Sequence, residues 1–218
     1  MRTKKVAVIL SGCGVFDGAE IFEATLTLLH LDRHDAEITC FAPDIEQHHV
    51  IEHRTGEPMA EKRNVLTEAS RINRGEVQPL QEANPNNYDA VIVPGGFGVA
   101  KNFSDFAFKG GDCDVYEPFA ELIRGFHEQR KPIGMICIAP VLLPKILGKG
   151  ISCTVGHGAA ASGEVNSMGG VHIGCNVDGI VVDFEHRVIT TPAYMEAKRI
   201  SEAEKGISAL VEKVISMC

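Results

Sequence analysis

The chain has 218 residues, of which 44% are hydrophobic, and it carries a formal net charge of -8. This length allows one sizeable core and is short for two, so a single domain spanning residues 1–218 is predicted. The acidic balance argues against a nucleic-acid surface, since no basic run is longer than the pair Lys4-Lys5. The apolar runs are far shorter than a membrane helix requires, so no membrane partner is expected.

Short apolar runs alternate with longer amphipathic stretches, which is typical of βαβ units that build a parallel sheet with helices on both faces. The first helix is expected to present Ile21, Ala24, Thr25 and Leu28 on one face. Residues 44–58 are interpreted as an excursion or hairpin. Strands are predicted over 5–10, 36–42, 88–93, 133–137, 152–155, 171–175, 180–184 and 187–191, and helices over 19–31, 64–71, 115–129, 140–147, 164–168 and 194–215.

The first predicted strand begins within a few residues of the amino terminus, which predicts a cytoplasmic protein without a targeting peptide. The seven cysteines include no Cys-x-x-Cys pair, so reduced thiols are expected rather than disulfides or a zinc ribbon. His48, His49 and His53 are close in sequence, but the turn at residues 55–58 favours a solvated loop over a metal site. No metal is predicted.

The most informative segment is the apolar run that leads into Cys137 and is followed by Pro140. It predicts a nucleophile elbow, in which a sharp strand-to-helix turn holds the side chain at the end of the sheet. The unpaired N–H groups and the dipole of the following helix are expected to favour the thiolate. Cys137 is therefore the candidate nucleophile. The alternative is an inert cysteine of the core.

The other candidate residues lie in loops that follow predicted strands, where ligands of parallel sheets bind. The N–H groups of Gly95, Gly96 and Ile138 would form an oxyanion hole, although a glycine pair after a strand also makes an ordinary turn. Glu20 would hydrogen-bond the thiol and move protons, or would only cap a helix. His157 would carry protons, or would have a structural role.

The substrate pocket is predicted to include Gly12, Cys13 and Phe97, with packing as the alternative for Cys13. The glycines of residues 12–18 are similar to a dinucleotide-binding loop, but the third glycine comes one residue late. No acidic residue ends the second strand at the required distance, and no phosphate-binding loop is present. No cofactor is predicted.

Six segments together resemble the class I glutamine amidotransferase-like superfamily, in the branch of the PfpI-type proteases, deglycase-like proteins and glyoxalases, and within it the ElbB-like family. The resemblance implies a flavodoxin-like three-layer α/β sandwich with a mostly parallel central sheet, and a homodimer. It places the nucleophile at Cys137 and a carboxyl at Glu20. It places the oxyanion glycine at Gly95-Gly96 and a histidine at His157, twenty residues after the cysteine. The matching segments are residues 8–18, 41–44, 64–66, 94–98, 137–140 and 190–195.

One departure from the amidotransferases bears on function. Where they bring a histidine and a glutamate to the cysteine, residues 190–194 read Thr-Thr-Pro-Ala-Tyr. The expected function is therefore a cofactor-independent glyoxalase that converts methylglyoxal or glyoxal to a 2-hydroxy acid through the Cys137 thiolate. Ile138 and Ala139 are expected to narrow the pocket around a small aldehyde. The alternatives are a redox-sensing or regulatory protein with the same thiol, and a PfpI-like peptidase.

Overall fold

The computed structural model describes residues 2–218, apart from the side chain of Ala159. Its strands are β1 (Lys5–Ile9), β2 (Glu37–Ala42), β3 (Ile51–Glu52), β4 (Glu57–Pro58), β5 (Val77–Pro79), β6 (Ala90–Val93), β7 (Ile133–Ile136), β8 (Ser152–Cys153), β9 (Val171–His172), β10 (Val181–Asp183) and β11 (Val188–Thr191). Its α-helices are α1 (Ile21–Arg33), α2 (Val65–Ala69), α3 (Phe97–Lys101), α4 (Phe106–Lys109), α5 (Glu117–Glu128), α6 (Leu143–Leu147), α7 (Ala159–Ser167) and α8 (Ile200–Met217).

A seven-stranded sheet forms the centre of the fold, in the order β10-β11-β7-β6-β1-β2-β5. Its neighbouring strands are parallel except for the antiparallel pair β10–β11. Strands β3 and β4 pair as a small antiparallel hairpin, and β8 pairs with β9. The flavodoxin-like α/β fold is therefore confirmed.

The core has two parts, one on each face of the sheet, because side chains of a strand point alternately to opposite faces. Ala7 and Ile9 of β1 pack in one part with Phe119 and Phe126 of α5. Val8 packs in the other part with α1 and α8. Strands β6, β7 and β11 are buried along their whole length, and β1 is buried except for its first residue. This is expected for parallel strands that are covered on both faces.

Several boundaries differ from the predicted ones for local reasons. The last helix begins after Arg199, where the Glu202 side chain accepts hydrogen bonds from the N–H groups of Lys198 and Arg199 and caps it. The predicted helix over 140–147 begins as a 3-10 turn and continues as α6. The prediction did not include β5, α3 and α4, which are short. Among the described residues, no helix is both long and apolar enough to cross a membrane.

Candidate active site

Cys137 lies directly after β7 at the carboxyl end of the sheet, and its backbone has a φ of 62°. This left-handed conformation costs roughly 1–2 kcal/mol for a residue other than glycine and is typical of a nucleophile elbow. The Cys137 N–H donates to the Thr191 carbonyl oxygen of β11 at 3.0 Å, which fixes the turn to the sheet. The residue is 7% exposed and is therefore largely buried at this position.

The carboxyl group that contacts the thiol belongs to Glu23, a fully buried residue of α1. Glu23 Oε2 accepts the Gly95 N–H at 2.9 Å, and Oε1 accepts the Tyr194 N–H at 3.2 Å. The carboxyl group also shares a hydrogen bond with the Cys137 thiol. Backbone N–H groups from two separate segments therefore hold the carboxyl group beside the sulfur.

The hydrogen bond predicted between Glu20 and the thiol is wrong. Glu20 is the N-cap of α1, where its Oε2 accepts the Glu23 N–H at 2.7 Å. The buried face of α1 differs from the predicted one, because Ile21 and Thr25 are exposed. The buried residues in this part of the helix are Glu23, Ala24, Leu26, Thr27 and His30. Glu20 still lines the cavity beside Cys137, and burial raises the pKa of its carboxyl. The inward face of α1 thus carries Glu23 to the sulfur.

Burial dominates the electrostatics of the pair. It raises the pKa of Glu23 to about 8, and the neighbouring Glu20 carboxylate acts in the same direction. The pKa of Cys137 is also well above its ordinary value, because of burial and because of the Glu23 negative charge. The expectation of a lowered thiol pKa is therefore wrong: the Ile138 N–H at the start of the following turn does lower the pKa of Cys137, but burial and the Glu23 carboxyl outweigh it. At neutral pH most Glu23 carboxyl groups keep a proton, which removes their repulsion of a thiolate.

Two of the three predicted oxyanion donors face the sulfur. The N–H groups of Gly96 and Ile138 hydrogen-bond to Cys137, and both interactions favour negative charge there. The Gly95 N–H instead donates to Glu23, so its predicted place in the oxyanion hole is wrong. Gly96 has a φ of 99°, and a Cβ there would collide with the Gly18 carbonyl oxygen. Glycine is thus required for this approach to the sulfur.

Cys137 opens into a cavity of about 550 Å³. Phe97 lies in its lining, as do Glu20, Gly96 and Ile138. Gly12 and Cys13 were predicted to line the pocket, but neither residue lies in the cavity lining. The Cys13 thiol lies instead near the charges of Glu68 and Arg71. The expectation of a narrow pocket is also wrong. The remaining lining residues are Val15, Ala100, Phe106, Ala107, Phe108, Gly110, Ala160, Ala161, Glu164, Tyr194 and Met195.

His157 is not brought to Cys137. It is exposed outside the cavity lining, its ring Nε2 lies 3.2 Å from Asn176 Oδ1, and its N–H donates to the Glu196 carboxylate. The twenty-residue offset in sequence therefore does not produce a contact, and the peptidase alternative loses the histidine it required. Within residues 2–218, no cluster of three potential metal ligands occurs.

The pattern of the DJ-1/PfpI family matches residues 4–168. The chain belongs to the DJ-1/PfpI family. It is 45% identical to the rat "ES1 protein homolog, mitochondrial", over 98% of this chain and 84% of that protein. It is 44% identical to the human "Glutamine amidotransferase-like class 1 domain-containing protein 3, mitochondrial", over 98% and 83% of the two chains.

Solved structures agree with this family. A crystal structure of an isoprenoid biosynthesis protein with amidotransferase-like domain from Ehrlichia chaffeensis is 35% identical, has a TM-score of 0.92 and is matched over 99% of both chains. The ElbB-like resemblance is thereby confirmed. Glyoxalase III from Candida albicans is 13% identical with a TM-score of 0.62, over 98% of this chain and 97% of that one, which shows a shared fold alone.

The prediction of a cytoplasmic protein is wrong. The rat and human relatives are both named as mitochondrial proteins, and this points away from a purely cytoplasmic location. The prediction rested on how soon the first strand follows the amino terminus, which is a weak guide to location.

Proposed function

We propose that this protein is a glyoxalase that needs no cofactor and converts 2-oxoaldehydes to 2-hydroxy acids through Cys137. The observation that carries the proposal is the Cys137 sulfur itself, which shares a hydrogen bond with Glu23 and receives two N–H groups beside a large cavity. This arrangement supplies a nucleophile, a proton carrier and an oxyanion site for one carbonyl carbon. Membership of the DJ-1/PfpI family supports it.

The first step is addition of the sulfur to the aldehyde carbon. The reactive state holds one proton between Cys137 and Glu23, so that the sulfur attacks while the carboxyl group keeps the proton. The S–C bond forms, the C=O electron pair moves to oxygen, and the N–H groups of Gly96 and Ile138 stabilise the negative charge. Glu23 then donates its proton to that oxygen and is left as a carboxylate beside the hemithioacetal.

The second step moves one hydrogen from the aldehyde carbon to the ketone carbon. The Glu23 carboxylate removes the proton from the aldehyde carbon while the hydroxyl group on that carbon passes its proton to the neighbouring ketone oxygen. The resulting enediolate collapses when Glu23 returns its proton to the ketone carbon and the first oxygen forms the carbonyl double bond. The product is a thioester. Water then adds to its carbonyl carbon, the C–S bond breaks, and the thiol is regenerated with the 2-hydroxy acid.

The test is lactate formation from methylglyoxal without glutathione. We expect wild-type turnover, loss of at least about a thousandfold in kcat/KM for Cys137→Ser, and a large loss for Glu23→Gln. Cys13→Ser and His157→Ala are matched controls, since both residues lie outside the cavity lining, and they should retain wild-type rates. Unchanged turnover in Cys137→Ser would refute the proposal, as would absence of turnover in the folded wild type.

One observation favours redox sensing as a second candidate. The protonated Glu23 carboxyl group and the two N–H donors at Cys137 could hold the oxygens of a sulfinic acid. Mild peroxide followed by peptide mass spectrometry tests it, with the buried thiols of Cys40 and Cys153 as internal references. Oxidation confined to Cys137 in a protein without turnover would favour this function. Equal oxidation of Cys137, Cys40 and Cys153 would refute redox sensing at Cys137.

A further inference from the structure

The cavity is much larger than methylglyoxal requires. Its volume of about 550 Å³ lies within the roughly 300–1,000 Å³ typical of sites for drug-sized ligands. A three-carbon aldehyde bound at Cys137 would leave most of this space to water. Water against apolar walls is unfavourable, so a substrate with a larger apolar group would gain binding energy by displacing it.

The walls of the cavity are mainly aromatic and aliphatic. Phe97, Phe106 and Phe108 contribute three rings from α3 and α4, and Tyr194 and Met195 line the cavity from the segment after β11. Aromatic rings favour contact with flat apolar groups in stacked or edge-to-face arrangements. The lining is thus suited to an aryl group.

The charges in the lining are negative. Glu20 and Glu164 both line the cavity, and the Gly111 N–H holds Glu164 Oε2 at 2.7 Å. None of the described residues that line the cavity is lysine, arginine or histidine. Acidic groups without a basic partner repel an anion in a cavity of low dielectric constant.

The neighbouring ammonium groups have other partners. Lys101 Nζ donates to the Phe16 carbonyl oxygen at 2.8 Å and lies 5.3 Å from the centre of the Phe97 ring. Lys109 forms ion pairs with Asp105 and Asp114. Neither lysine belongs to the cavity lining, so neither ammonium group is placed to pair with an anion inside it.

We infer that the site takes uncharged carbonyl compounds that carry a flat apolar group, such as aryl 2-oxoaldehydes, and rejects carbonyl compounds that carry a carboxylate or phosphate. The reactive part of this inference rests on the proposed function. The same charge pattern assists turnover, because the reaction converts a neutral aldehyde to an anionic hydroxy acid. Repulsion from Glu20 and Glu164 then favours release of the product.

Binding without chemistry gives the first test. Calorimetry on Cys137→Ser protein compares 4-acetylbenzamide with 4-acetylbenzoate, which share a shape and differ in charge. We expect the amide to bind at least tenfold more tightly. Glu164→Gln should narrow this ratio, whereas Glu121→Gln, on the exposed face of α5, should leave it unchanged. Equal or tighter binding of the benzoate, or no binding of the amide, would overturn the inference.

Turnover gives the second test and separates this inference from the proposed function. The wild type should turn over phenylglyoxal with a kcat/KM at least tenfold above that for 4-carboxyphenylglyoxal. A higher kcat/KM for 4-carboxyphenylglyoxal would overturn the inferred substrate class but would still support the proposed glyoxalase activity. Preferential binding of the amide without turnover of any 2-oxoaldehyde would remove the glyoxalase while leaving the binding preference.

Discussion

Replacement of Glu23 by glutamine should change how the stability of the protein depends on pH. The pKa of Glu23 is raised from an ordinary value of 4.5 to about 8 in the folded chain. Between these two values the folded state keeps a proton that the unfolded state releases. The stabilising contribution is therefore complete below pH 4.5 and is lost as the pH rises through about 8.

The size of this effect follows from linkage. Each pH unit inside the window removes up to about 1.4 kcal/mol of unfolding free energy, so the wild type should lose about 2–3 kcal/mol between pH 5.5 and pH 7.5 through Glu23. The Glu23→Gln variant cannot ionise there and lacks this loss. At low pH it should be less stable than the wild type by about 1–3 kcal/mol, because an amide NH2 group would face the N–H of Gly95 or Tyr194.

The assay is urea unfolding followed by circular dichroism at both pH values, with thiols kept reduced. The difference in unfolding free energy between wild type and Glu23→Gln should shrink or reverse as the pH rises. Glu121→Gln, at an exposed site on α5, serves as the control and should follow the wild type at both pH values. Parallel pH dependence of wild type and Glu23→Gln would refute the account of a buried, protonated carboxyl group.

Two further substitutions test the packing around the site, and thermal unfolding measures both. Gly95→Ala would place a Cβ 2.5 Å from the Cys137 Cβ and 2.9 Å from the Ile136 carbonyl oxygen. This overlap should lower the free energy of unfolding by about 1–3 kcal/mol or more. The control Gly158→Ala places its Cβ in open space and should change the stability little. Asn102→Ala removes the hydrogen bonds to the carbonyl oxygens of Ser11 and Asp17 and to the His48 N–H. This loss should lower the free energy of unfolding by about 2–4 kcal/mol. Asn86→Ala, at an exposed site, is the control. If Gly95→Ala destabilised the protein no more than Gly158→Ala, the close packing at Gly95 would be contradicted. If Asn102→Ala destabilised it no more than Asn86→Ala, the hydrogen-bonding role of Asn102 would be contradicted.

The elbow could be predicted from sequence because it depends on local features. An apolar strand, a single cysteine and a following proline specify the turn at Cys137, whose φ of 62° has the expected sign. The alternation of apolar runs and amphipathic stretches likewise specified the parallel sheet. These signals are short-range, and the structure preserves them.

The partner of the thiol required tertiary information. Glu20 caps α1 and Glu23 lies in its first turn, and only the packing of α1 against α8 and the sheet decides that Glu23 points inward. A signal was available: Glu23, Thr27 and His30 follow a helical spacing on one face, and all three are buried. His157 shows the opposite case, because a matching offset along the chain did not place its ring near Cys137. Burial also reversed the expected pKa direction of the thiol, which no local motif reports.

The most direct test of the central claim is to quench the wild type in acid during turnover of methylglyoxal and map the added mass by peptide mass spectrometry. The account predicts an adduct of one methylglyoxal on Cys137, with the other six cysteines unmodified. An adduct on another cysteine during active turnover, with Cys137 unmodified, would contradict it.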